Sequence, residues 1–208
     1  MDPSSFLAKS RDPEEWRKHA RSLRRSADVL WKDFTEVLLT EVSNAKTSGV
    51  AADLICAHEA LETCKLLYGL SLETALKAWI IQHHPKRVEF RLSVDGAGTP
   101  THAELRALGV PSGNGHNLLA LAEAAGLFGD GFKHAIRFIT DERAVRNICR
   151  DLTEVVVWRG RYPIPLASQD PLKLDPKGLP HAQAHFMRDW LDPVLDALLS
   201  QGTPFTDA

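Results

Sequence analysis

Three short stretches of this chain carry side chains suited to chemistry. Gly115-His116-Asn117-Leu118-Leu119 joins a glycine-bearing loop to an apolar helical segment. A His and an Asn at a helix start can satisfy open backbone N–H groups, or hold an anion at the positive end of the helix dipole. In Arg159-Gly160-Arg161-Tyr162-Pro163, Arg161 offers a rigid fork of donors for a carboxylate or phosphate, Tyr162 an amphipathic ring, and Pro163 a fixed chain direction. The same stretch also suits a helix-ending turn whose arginines bond terminal carbonyls or a core Glu. Glu73 and Lys77 stand at i, i+4 with Glu on the N-terminal side, the favourable order for a helical ion pair. They flank Leu72, Leu76 and Trp79, so they are either a solvated pair or an edge-of-core pair that meets His116 or Arg161.

A fourth feature is a run of cations, Arg17, Lys18, Arg21, Arg24 and Arg25, flanked by Trp16 and Trp31. Such a run can contact phosphates or simply be the solvated face of a helix. Metal chemistry has little support. His181 and His185 share a helical face but lack the Glu of His-Glu-x-x-His, and no Cys–His cluster has zinc-finger spacing. No Gly-x-Ser-x-Gly elbow is present. The expectation is a site without metal or cofactor.

Long helices must position these residues. Asp12-Pro13-Glu14-Glu15 is a helix start. Trp16, Ala20, Leu23, Ala27, Leu30, Phe34 and Val37 follow at steps of four and three, which predicts a helix over 13–46. Leu61, Cys64, Tyr68, Leu72, Ala75, Leu76 and Trp79 predict a second over 50–83, ended by His84-Pro85. Val88, Phe90, Leu92 and Val94 alternate as in a strand, with Tyr162–Leu166 as a candidate partner. Asp95-Gly96-Ala97-Gly98 predicts a turn, and the capping-box pattern Thr101–Glu104 predicts a short helix to Leu108. Helices are expected over 117–125, over 132–158 with a break near Thr140-Asp141, and over 181–199 with an interruption at Asp192-Pro193.

The fold class expected is mostly α: an up-and-down bundle of four or five core helices, a C-terminal helical extension and at most a short β excursion. Residues 1–165 would form the bundle, with an insertion at 86–116, and 166–208 a wrap and helix packed upon it. The 208 residues carry 25 Lys and Arg against 27 Asp and Glu, so no whole-molecule field draws in nucleic acid and any such role needs a local patch. The N-terminus shows no secretory pattern, no apolar run spans a bilayer, and three cysteines form no disulfide framework. A cytoplasmic protein without membrane association is expected.

Taken in order, Tyr68-Gly69-Leu70-Ser71-Leu72-Glu73-Thr74-Ala75-Leu76-Lys77-Ala78, then Gly115-His116-Asn117-Leu118 with Ala125-Gly126-Leu127, then Arg161-Tyr162-Pro163, resemble the core elements of HEPN-like proteins. The resemblance spans residues 53–163. It implies a helical bundle, often a homodimer, and in active members a metal-independent endoribonuclease using Arg, usually followed by a polar residue, with four to six residues between that Arg and a His. Arg146-Asn147 is the nearest counterpart, but the His positions hold Asp151, Leu152 and Thr153. Asp151 is a poor proton-transfer group at neutral pH beside a phosphate. The resemblance therefore implies a non-catalytic module that binds RNA, a nucleotide or a partner protein, in a bacterial defence or toxin–antitoxin setting. The alternatives are a divergent ribonuclease built on Arg146, Asp151 and His134, and a purely structural helical interaction protein.

Overall fold

The computed structural model describes residues 1–111, 113, 115–128, 142–159 and 183–200. It is a mostly helical bundle with one two-stranded β ribbon. Helix α1 (Pro3–Arg11) and helix α2 (Pro13–Ser48) share one start signal used twice: Asp2 and Asp12 accept backbone N–H groups from Ser5 and Glu14, each just before a proline. α2 ends at Gly49, whose φ of 72° is the left-handed cap that glycine favours. Helix α3 (Ile55–His83) begins five residues later than the apolar spacing suggests, where Ile55 N donates to the Asp53 carboxylate.

α2 and α3 pack as a long antiparallel pair. Ala20 and Ala27 are fully buried, and their small side chains let the backbones come close. Ser71 Oγ donates to Ala20 O at 2.8 Å and Cys64 Sγ to Ala27 O at 3.3 Å. Seven residues up one helix match seven down the other, and the next step joins Phe34 to Ala57 and Leu61 in a smaller apolar cluster. α3 is the central helix. Its buried residues occupy every face, from Leu61 and Cys64 to Leu76 and Ile80, as expected of a helix surrounded by others.

The chain then leaves the bundle as a ribbon, β1 (Val88–Val94) antiparallel to β2 (Pro100–Leu108). The Asp95–Gly98 turn forms as expected, with the Asp95 carboxylate accepting from Ala97 N and Thr99 N. The helix expected over Thr101–Leu108 does not form. Those residues lie in β2, because pairing with β1 satisfies their backbone groups along the whole segment. β2, rather than Tyr162–Leu166, is the partner shown for β1, and the latter segment lies outside the described residues.

Helix α4 (Leu118–Ala124) ends in a Schellman turn: Gly126 at φ 76°, with Leu127 N donating to Ala122 O. Helix α5 (Glu142–Glu154) runs into a π turn at Val155–Arg159. The break expected near Thr140-Asp141 and the helix over 132–141 lie outside the described residues. Helix α6 (Gln183–Leu199) continues through Pro193 instead of being interrupted there. Its Leu191, Val194, Leu195 and Leu198 enter the main core, which holds the helix across the missing N–H. No helix among the described residues is long and apolar enough to cross a membrane.

Candidate functional site

The residues singled out by type divide into one cluster that assembles and two sets that hold the fold. Glu73 lies on α3 where the helix is enclosed by its neighbours, and its side chain is only 7 % exposed. A carboxylate so placed requires partners. One is Lys77, a turn further along, with Nζ 2.6 Å from Glu73 Oε1. The other is His116, from the turn before α4, with Nδ1 3.0 Å from Oε2 and 3.1 Å from Oε1. Lys77 is nearly enclosed, whereas the His116 ring is half exposed. The cluster therefore has a buried acceptor, a shielded ammonium and one imidazole edge open to solvent.

Asn117 is a helix cap. Its Oδ1 accepts from Ala120 N at 3.0 Å, and Leu118 N donates to Thr153 Oγ1 at 2.9 Å. The N–H groups that would have met an anion at this helix start are thus partly taken by protein. Thr153 itself donates back to Cys149 O. It ties α5 to the turn that carries His116, a role its isolated hydroxyl did not signal. Arg159 ends the π turn; its side chain, together with Arg161 and Tyr162, lies outside the described residues.

The position matching the ribonuclease arginine is structurally engaged. Arg146 Nε bonds Glu142 at 2.8 Å, Nη1 bonds Glu123 at 2.7 Å, and the guanidinium covers the Phe128 ring at 3.9 Å. Its hydrogen bonds to Glu142 and Glu123 raise its pKa further. Asn147 accepts from Arg150 at 2.9 Å, Asp151 is exposed and Leu152 buried.

The basic run is largely neutralised. Arg17 is buried and bonds Glu14 at 3.0 Å and Gln82 Oε1 at 2.5 Å. Lys18 pairs with Glu15, and Arg21 pairs with Glu14 and reaches Leu199 O. Arg24 bonds Asp196 at 2.5 Å and Asp192 at 3.1 Å. Arg25 is exposed and makes no ion pair among the described residues. A run that suggests a phosphate-binding patch in the sequence therefore fastens α2 to α3 and α6, leaving Lys18 and Arg25 outward.

A further ionic group was not foreseen. Fully buried Tyr68 donates from Oη to Asp28 at 2.5 Å, and Arg188 of α6 reaches the same carboxylate at 3.1 Å. The Arg188 guanidinium also lies against Trp31 and Tyr68. Burial, then the bond to Asp28, pushes the Tyr68 phenol well above its ordinary range. Among the described residues no three His, Cys, Asp or Glu side chains gather as metal ligands. Compared with protein families, curated proteins and solved structures, the chain matches none.

Proposed function

We propose that this chain is a non-catalytic binding module of the HEPN-like kind, taking RNA or a nucleotide at the Glu73–Lys77–His116 cluster. The observation that carries the reading is the meeting of three side chains from two segments, 43 residues apart between Glu73 and His116, at a place where one imidazole edge stays open. Glu73 orients Lys77 and His116, and the Lys77 ammonium and the His116 ring nitrogens are groups that can bond a phosphate. The engagement of Arg146 by two carboxylates supports binding without cleavage, as does an aspartate at position 151. A cytoplasmic setting, in a defence or toxin–antitoxin system, is part of the same proposal.

Titration of a labelled single-stranded RNA and of ATP into the full chain tests it. His116→Ala and Lys77→Ala should each weaken binding by about tenfold, the loss of one charge-assisted bond, and Lys77→Ala should also lower the melting temperature because it strips the buried Glu73 carboxylate of a partner. No binding by the native chain would end the proposal. RNA cleavage lost on Arg146→Ala would instead favour the ribonuclease alternative.

A second reading has its own support. Both Glu73 oxygens are engaged and Lys77 is shielded, which suits a clamp that fixes the turn before α4. On that reading the same substitutions lower the melting temperature and there is no ligand to lose.

A further inference from the structure

The ribbon has two unlike edges. β2 slips register twice, at Thr101 and Arg106, begins at Pro100 and has α1 packed beside it. Bulges, proline and a covering helix are the devices that stop an edge from recruiting another strand. β1 has neither bulge nor proline, and among the described residues no helix is paired along its outer edge, although Arg11 of α1 lies over its Phe90 ring. Its seven residues run without a bulge of their own, and Glu89, Arg91, Leu92, Ser93 and Val94 are exposed.

The outward backbone groups of β1 can be assigned. Arg87 O accepts from Gly109 N at one end, and Asp95 N donates to Thr99 O at the other. Both inward-facing positions are odd-numbered, so by strand alternation Val88, Phe90, Leu92 and Val94 turn their N–H and C=O groups outward. The side chains of these four share one face, opposite Leu108, Leu105, Ala103 and Pro100. That face is apolar along its length; Val88 packs against the main core and Phe90 lies under the Arg11 guanidinium, whereas Leu92 is 47 % and Val94 58 % exposed. A two-stranded ribbon whose apolar face is left open at Leu92 and Val94 among the described residues is marginal in water.

We propose that the outer edge of β1 pairs with the same edge of a second copy, giving a four-stranded antiparallel sheet about a two-fold axis through Phe90. The sequence Val88-Glu89-Phe90-Arg91-Leu92 is self-complementary in that register. Phe90 faces Phe90 of the second copy, Val88 faces its Leu92, and Glu89 faces its Arg91, the last two pairings occurring twice. Within the ribbon Glu89 stands opposite Ala107 and makes no ion pair among the described residues. Arg91 has only a 3.7 Å contact to Glu104. Centring the axis on Arg91 would oppose two arginines, and centring it on Leu92 would leave Glu89 opposite Asp95, so charge selects the Phe90 register.

The proposal is independent of the ligand site and is tested without a ligand. Sedimentation velocity of the full chain should show a dimer. Glu89→Arg and Arg91→Glu should each weaken it by roughly tenfold or more, since each turns two attractive cross-strand pairs into repulsive ones. The double variant Glu89→Arg/Arg91→Glu restores opposite charges and should restore the dimer. Mixing the two single variants should give a heterodimer, because one copy is then acidic and the other basic at both positions. Circular dichroism checks that each variant folds. A monomeric native chain, or a dimer unaffected by either reversal, would overturn the proposal.

Discussion

Gly69 of α3 and Val156 of the π turn approach so closely that a Cβ on Gly69 would stand 2.5 Å from Val156 Cγ2. Gly69 sits one turn before Glu73, so the close approach sets the distance between α3 and the segment that carries Thr153 to the His116 turn. Gly69→Ala should destabilise the protein by about 1–3 kcal/mol from overpacking, offset by up to ~1 kcal/mol of helix propensity. In a Val156→Ala background, which removes the obstructing methyl groups, the same substitution should become neutral or stabilising. Urea unfolding of the four proteins measures the coupling.

Tyr68→Phe removes the bond to Asp28 but leaves Arg188 on that carboxylate. The expected loss is about 1.5–3 kcal/mol, that of one hydrogen bond to a charged group. Arg188→Ala acts on a different contact, α6 with α2. It should raise hydrogen exchange in α6 more than in α3. Uniform protection loss across both helices would contradict that assignment.

The long helices were legible because their stripes are local. Ala20, Ala27 and Phe34 fall where steps of three and four place them, and all are buried. α1 was missed because it has no apolar stripe, although Asp2-Pro3 repeats the start signal of Asp12-Pro13. β2 was misread because two bulges break its alternation, leaving Thr101–Glu104 to resemble a capping box. The Glu73–Lys77 pair is readable from spacing, and the meeting with His116 is one of three outcomes that spacing leaves open, beside a solvated pair and a meeting with Arg161. The basic run was not readable: Arg24 pairs with Asp192 and Asp196, and no local pattern reports partners that distant.

Alkaline pH should weaken the fold through two thiols. Burial pushes Cys64 and Cys149 up to about 12, from an ordinary value of 9.0. Between those values the unfolded chain has lost thiol protons that the folded chain keeps, so stability falls as pH rises. Cys64→Ala/Cys149→Ala should make this limb shallower and leave the part above pH 10 that the raised Tyr68 phenol contributes. At pH 8, a thiol reagent should label exposed Cys56 quickly and all three cysteines only after unfolding.

The acid limb has its own groups. Burial, and then His84 and Arg17, hold the His83 imidazole below its ordinary 6.5. As pH falls through that value the unfolded chain takes up a proton that the folded chain resists, and stability declines. Glu14, lowered chiefly by its bond to Arg17, extends the decline below 4.5. His83→Gln should remove the first part of the slope and leave the second. An unchanged slope above pH 5 in urea titrations would exclude His83 as its source.

The bond from Arg21 to Leu199 spans 178 positions. During synthesis the α2–α3 hairpin can form early, but the core positions of Leu195 and Leu198 are filled only when those residues leave the ribosome. At about 5–20 residues per second, the interval between Ser48 and Leu199 is on the order of ten seconds. Over that interval the core lacks four of its buried leucine and valine side chains, Leu191, Val194, Leu195 and Leu198. The core is closed when α6 reaches α2.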